Sequence, residues 1–340
     1  MTPLERHLRA AIAAEGPIPV ERYMAECLGH PEHGYYITRD PLGAAGDFVT
    51  APEVSQMFGD LIGLWCADLW DRMGRPDPVL LVEMGPGRGT LMADALRAAA
   101  ALPGFREAAR LHLIETSPAL RARQADALAG QTPVWHDGIE TVPDGPLLLI
   151  ANELLDALPI RQILRTEAGW RERMVTVEAG RLAFIPGDRA VEAPPGFGDA
   201  PPGSLVELRP AADALAATIS TRLRRHGGAA LFIDYGHLES APGETLQAVR
   251  DHAYADVLTD PGEADLTAHV DFAAIAAHAA PARHSRLTPQ GVFLERLGIT
   301  ARARKLASGL TGQALDAHVA AHRRLTHPSE MGDLFKVMAL

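Results

Sequence analysis

The run Glu83-Met84-Gly85-Pro86-Gly87-Arg88-Gly89-Thr90 places a carboxylate two residues before the first of three glycines spaced by single residues. Glycines let a backbone turn through left-handed conformations and approach a ligand closely. A dinucleotide fingerprint needs glycines at its first, third and sixth positions, and the sixth position counted from Gly85 is Thr90. Pro86 also removes one N–H from a loop that would otherwise hold a pyrophosphate. The chemistry these residues point to is capture of a cofactor that carries no phosphate.

S-adenosylmethionine is such a molecule. It needs close backbone approach to its methionine portion, a carboxylate for its ammonium group and a second carboxylate for its ribose hydroxyls. Gly85, Gly87 and Gly89 are the candidates for the first requirement and Glu83, directly or indirectly, for the second. Glu115, which ends the next apolar run one βα unit later, is the candidate for the ribose. Asp137, in His136-Asp137-Gly138, is a candidate for the adenine amino group, although a solvated turn explains it as well. Further on, Asn152, Glu153 and Asp156 come after another apolar run. Taken alone they read as a helix start, with Asn152 as the cap and two acids in the first turn.

Elements that could position these groups are legible in the hydrophobic pattern. Val79–Val82, Leu111–Ile114, a short run at Val134 and Trp135, Leu147–Ala151 and Ala229–Ile233 read as strands, with helices over Leu91–Leu102, Pro118–Leu128 and Pro210–His226 between them. Strands alternating with helices of this length predict a parallel, doubly wound α/β sheet, with its ligand at the carboxyl ends of the strands, where Glu83, Glu115, Asn152 and Asp234 fall. Thr50, with Pro52 and Glu53, reads as a capping box opening a long amphipathic helix. Before it lies a small-residue loop, Gly43 to Asp47, suited to close approach or to closing as a lid. Gly46 of that loop and Thr50 join the candidate cofactor-binding residues. Residues 1–75 read as a helical lid region, 76–160 as the first half of the core, 161–208 as a β-rich insertion and 209–340 as the second half with added helices. Pro186 to Pro202 reads as a loop without regular structure. Three C-terminal helices, Asp271–Ala279, Gln290–Leu297 and Gln313–Arg324, precede a last strand at Phe335–Leu340.

Composition bounds the rest. With 340 residues, 47% hydrophobic and 22% charged, the chain can bury a large core and needs no staples. A net charge of −11 opposes binding to a phosphate backbone, so no nucleic-acid partner is expected. Clustered Arg302, Arg304 and Lys305, and Arg323 with Arg324, read as solvated helix faces. No apolar stretch approaches the ~20 residues of a membrane span, so no membrane insertion is expected. Glu5, Glu15 and Glu21 among the first arginines argue against a signal or transit peptide, which predicts a cytoplasmic, bacterial protein. Cys27 and Cys66 read as packed bystanders. Asp265, His269 and Asp271 have no second His at ligand spacing, so no metal is expected, and His30 and His33, flanking a Pro-Glu pair, read as exposed in a turn or packed under the lid.

Several longer segments carry a family resemblance: Pro31-Glu32-His33-Gly34-Tyr35-Tyr36, Gly46-Asp47-Phe48-Val49-Thr50-Ala51-Pro52-Glu53, Glu83 to Thr90, Glu115-Thr116-Ser117-Pro118, Ala151-Asn152-Glu153, Asp156-Ala157-Leu158-Pro159, Ile233-Asp234-Tyr235-Gly236 and Ala264 to Asp271. With them the chain resembles the MidA family of class I S-adenosylmethionine-dependent methyltransferases, which includes a mitochondrial complex I assembly factor that methylates an arginine. The resemblance implies a seven-stranded sheet whose last strand runs antiparallel, an added α/β substrate region, and symmetric dimethylation of an arginine on a core subunit of NADH dehydrogenase. It also moves Asn152, Glu153 and Asp156 from a helix start to candidate catalytic residues, since carboxylates can draw charge from a guanidinium through paired hydrogen bonds. Asp234-Tyr235-Gly236 is a further candidate for shaping an arginine pocket. A small-molecule O- or N-methyltransferase and a cofactor-binding assembly chaperone with vestigial catalysis are the alternatives, and the oligomeric state stays open.

Overall fold

The computed structural model describes residues 1–38 and 49–340. The chain opens with helix α1 (Pro3–Glu15), whose Thr2 cap accepts the Glu5 N–H at 3.0 Å, then strand β1 (Ile18–Pro19) and helices α2 (Val20–Gly29) and α3 (Tyr35–Thr38). Gly46 lies outside the described residues. The expected capping box at Thr50 is corrected. Thr50 opens only a four-residue helix, α4 (Ala51–Val54), its side chain caps nothing, and extended Ser55 breaks the chain before the long helix α5 (Gln56–Arg72) begins. Ser55 Oγ accepts the Met57 N–H instead, at 3.2 Å.

The core then alternates β2 (Val79–Met84), α6 (Thr90–Ala99), α7 (Phe105–Ala108), β3 (Ala109–Ile114), α8 (Pro118–Ala127), β4 (Val134–His136) and β5 (Leu147–Asn152). Next come four antiparallel strands: β6 (Arg161–Thr166), β7 (Gly169–Glu178), β8 (Arg181–Ala190) and β9 (Leu205–Leu208). β8 corrects the expected loop, because its last residues include Pro186 and Gly187. Among the described residues β8 pairs only with β7, and an edge strand tolerates a proline that donates no ladder bond. After helix α9 (Pro210–His226) come β10 (Gly228–His237), β11 (Gln247–Arg250), β12 (Ala253–Ala255), β13 (Asp265–Thr267), β14 (Val270–Asp271), α10 (Phe272–His278) and β15 (Thr288–Pro289). Helices α11 (Gln290–Leu297), α12 (Ile299–Ala307) and α13 (Gly312–Thr326) lead to the final strand β16 (Phe335–Ala339).

Seven strands form the central sheet in the order β15-β16-β10-β5-β2-β3-β4, and a two-residue eighth, β14, pairs with the end of β10. The sheet of the described residues therefore has one strand more than the seven expected, added by a pairing too short to mark the sequence. β16 runs antiparallel to β10, as the resemblance implied. β2 and β5 are buried along their whole length, which is why they read as unbroken apolar runs. One face is covered by α5, α6 and the C-terminal helices, the other by α9 and α10. Helices α5 and α6 touch so closely that a Cβ on Gly63 would lie 2.2 Å from the Ala95 carbonyl oxygen. A third core joins α1 and α2 to the insertion, where β1 pairs antiparallel with β7.

Register fixes the functional edge. Met84 pairs with Ile114 and with Ala151, Ile114 with His136, and Ile233 with Asn152. Gly85, Glu115, Asp137 and Asn152 therefore stand in the next row, at the carboxyl edge where the strand order reverses between β2 and β5.

Candidate cofactor and substrate site

A cavity of about 480 Å3 opens at this edge. Its walls include Gly85, Gly87, Glu83, Glu115 and Asp137 from the sheet edge, Thr50 and Glu53 from the segment around α4, and Asn152 and Glu153 beyond β5. Tyr36 and Ile37 of α3 close one side. Of the sequence-predicted residues, Gly89 and Asp156 are not among the lining.

The glycine loop is built by conformation. Gly85, Gly87 and Gly89 have φ of 62°, 54° and 83°, and Gly89 opens α6. The Gly85 N–H donates to the Ile114 carbonyl at 3.0 Å, so the loop leaves the sheet as a continuation of its ladder. Gln124, fully buried on α8, ties this loop to its neighbours: its Nε2 donates to the Gly87 carbonyl at 2.8 Å and to Glu115 Oε2 at 3.2 Å, while its Oε1 accepts from Trp135 Nε1 at 2.8 Å. Glu115 Oε1 accepts the Ser117 N–H at 2.8 Å, which holds its carboxylate at the strand end, and burial raises its pKa. Asp137 is 84% exposed and pairs with Arg121 at 2.5 Å, so it is the least enclosed of the predicted contacts.

Glu83 is 3% exposed, its Oε2 accepts no hydrogen bond, and burial pushes its carboxyl up to about 8. Glu153 stands at φ 52° where the chain leaves β5. Its Oε1 accepts the Ala51 N–H at 2.9 Å and Asn152 Nδ2 at 3.0 Å, and burial, reinforced by the nearby Asp156 carboxylate, pushes it up to about 7. Asn152 Oδ1 is buried without a partner. The expected helix start at Asn152 is absent. The chain makes instead a single 3-10 turn, Leu155–Ala157, whose N–H groups are satisfied from across the sheet. Asp234 Oδ2 accepts from Leu154, Leu155 and Asp156 at 3.1, 2.8 and 3.3 Å, and its Oδ1 from the Tyr235 N–H at 2.9 Å. Asp156 is buried behind the cavity against the Tyr235 hydroxyl, and burial pushes it up to about 6.

Glu53, Thr90 and Gln124 were not singled out as site residues from the sequence. Thr90 Oγ1 donates to Glu53 Oε1 at 2.5 Å, a contact across 37 residues that leaves no local pattern. Cys27 and Cys66 are buried, and burial pushes both thiols up to about 12. Among the described residues, His7, Glu26 and His30 bring ligand atoms within 4.8 Å of one another. His30 Nδ1 accepts the N–H groups of Glu32 and His33, at 3.1 and 3.2 Å, which places its proton on Nε2 and leaves neither ring nitrogen a lone pair for a cation. No described helix is long and apolar enough to cross a membrane.

The donor set tests the cofactor. Glu53, Glu83, Glu115, Asp137 and Glu153 put five carboxyl groups on the cavity, and the orphaned Glu83 Oε2 and Asn152 Oδ1 are acceptors. With Arg88 as the one Lys or Arg in the wall among the described residues, such a lining suits a ligand that brings an ammonium group and hydroxyls, as S-adenosylmethionine does.

Comparison with known proteins agrees. Residues 61–290 match the model of a family described as S-adenosyl-L-methionine-dependent methyltransferases. The chain is 37% identical to protein arginine methyltransferase NDUFAF7, mitochondrial, of Xenopus laevis, over 99% of this chain and 84% of that protein, and 35% identical to the human protein of the same name, over 100% and 83%. Among solved structures it is similar to a COG1565 superfamily member from Burkholderia thailandensis bound to S-adenosyl-homocysteine, with a TM-score of 0.85, 32% identity and coverage of 99% and 91%. The expected cytoplasmic location is overturned by these relatives, whose names place them in mitochondria. Glycine loop, acidic cavity wall, sheet order and relatives agree: the chain belongs to the MidA family of S-adenosylmethionine-dependent methyltransferases.

Proposed function

We propose that this enzyme methylates an arginine of a protein substrate to the symmetric dimethyl form, and that the substrate is a core subunit of NADH dehydrogenase. The observation that carries the reading is the pair of acceptors beyond β5. Glu153 Oε1 is occupied by Ala51 and Asn152, which leaves Oε2 and the orphaned Asn152 Oδ1, on two residues that line the cavity, as acceptors for a ligand that brings donors. A guanidinium is a planar set of five N–H donors, always protonated, whose nitrogens attack only when positive charge is drawn from the reacting one. The names of the curated relatives support the same substrate class.

Bound S-adenosylmethionine supplies an electrophilic methyl group on a sulfonium. Gly85, Gly87 and Glu115 hold its two ends at the sheet edge, so that the transfer is a matter of alignment. Glu153 and Asn152 accept from the guanidinium nitrogens that do not react, and the buried setting strengthens those bonds. Glu153, pushed up to about 7, also accepts at Oε2 the proton that the guanidinium loses when its nitrogen is alkylated. Asp234 and Asp156 stay behind this pair, Asp234 fixing the backbone of the turn.

The test is mass spectrometry of NADH dehydrogenase subunits from cells with and without this gene. A symmetric dimethylarginine that disappears with the gene supports the proposal, and unchanged arginines contradict the substrate.

A further inference from the structure

Glu53 stands in the cavity wall on the four-residue helix α4, beside Thr90, which follows the last glycine of the loop. Thr90 Oγ1 donates to its Oε1 at 2.5 Å, and among the described residues Oε2 accepts no hydrogen bond and no cation pairs with the carboxylate. A half-buried carboxylate that lines a cavity, with one oxygen held by a hydroxyl and the other without a donor, is arranged for a cationic ligand. Glu83, on the same cavity, is a different kind of group. It is 3% exposed, with no donor to its Oε2, and burial alone pushes it up to about 8. Of the two carboxyl groups, Glu53 is the one partly exposed where it lines the cavity.

We propose that Glu53, oriented by the Thr90 hydroxyl, is the anionic partner of the cofactor's ammonium group, and that Glu83 contributes a hydrogen bond beneath it. The inference rests on membership of the S-adenosylmethionine-dependent family and is independent of which substrate accepts the methyl group. It gives α4 two duties. Its Glu53 reaches the cofactor, and its Ala51 N–H braces Glu153 Oε1 at 2.9 Å, so one short helix serves both halves of the site.

Calorimetry with two ligands tests this. S-adenosylhomocysteine carries the ammonium group, and 5′-methylthioadenosine keeps the adenosine and the sulfur without the amino acid. Glu53→Gln retains an acceptor for Thr90 and removes the charge. It is expected to weaken S-adenosylhomocysteine binding about 10- to 100-fold, the range for a charge-assisted hydrogen bond, with methylthioadenosine binding unchanged. Thr90→Val is expected to give a smaller loss with the same ligand selectivity, and it serves as the second variant if Glu53→Gln is unstable. Glu83→Gln, which keeps a hydrogen-bonding group in place, is expected to weaken S-adenosylhomocysteine binding less than Glu53→Gln does. Equal weakening of the two ligands by Glu53→Gln assigns the residue to packing and overturns the proposal. So does full affinity of that variant, or a selective loss in Glu83→Gln alone.

Discussion

Replacing Glu83 by glutamine isolates the cost of burying a carboxyl group beneath the glycine loop. The side chain is 3% exposed, Oε2 has no donor, and its pKa moves from the ordinary 4.5 to about 8. For an acid whose pKa is raised on folding, the folded state keeps its proton while the unfolded chain releases it. Stability is then fully present below pH 4.5 and declines as pH rises toward 8. At about 1.4 kcal/mol per pH unit the decline approaches 5 kcal/mol above pH 8, as an order of magnitude. Glutamine has no such titration. Urea unfolding of the ligand-free wild type and of Glu83→Gln across pH 5 to 9 measures it, because titrations elsewhere cancel in the difference. The stability of the variant relative to wild type should climb by several kcal/mol between pH 5 and pH 8 and level off beyond. Parallel curves would refute the reasoning and show that Glu83 is solvated or paired.

Two further substitutions test the geometry. Asp234→Asn keeps the size of the group that gathers four backbone N–H groups but turns an amide NH2 toward at least one of them, so a loss of ~1–3 kcal/mol is expected in denaturant unfolding, with methylation falling further than cofactor affinity because the Leu155–Ala157 turn positions Glu153. Equal losses in rate and affinity would deny the turn that role. Gly85→Val forces a β-branched side chain into φ 62°, with its Cβ 2.9 Å from Leu154 Cδ1, and calorimetry on the folded variant should show no measurable S-adenosylhomocysteine binding. Affinity within a few-fold of wild type would take this loop out of the cofactor site.

The sheet was legible because its strands are buried on both faces and its helices present one apolar face each, so the period of the pattern carries the architecture. Helices α9 and α11 fall at the bounds their apolar spacing predicts. Where reading failed, a tertiary contact had overruled a local signal. Thr50 and Glu53 have the spacing of a capping box, yet Glu53 turns to Thr90 and Ser55 starts the helix. Pro186 looks like a loop residue but sits on an edge strand that asks for no donor there. Asn152 looks like a cap, and the turn after it is satisfied instead by Asp234, 80 residues from Leu154 in sequence. Gln124 had no signal at all, because its value lies in joining Gly87, Glu115 and Trp135, which only the folded sheet brings together.

Single-turnover methylation of an arginine-bearing subunit by wild type and by Glu153→Gln tests most directly whether the carboxylate beyond β5 acts on the guanidinium. The wild-type rate should rise as pH passes about 7, where Glu153 ionises. In the variant that rise should vanish and the rate should fall by roughly two orders of magnitude or more, with cofactor affinity nearly intact. Unaltered turnover and an unaltered pH profile in Glu153→Gln would contradict the account and leave Glu153 as a brace for the Ala51 N–H.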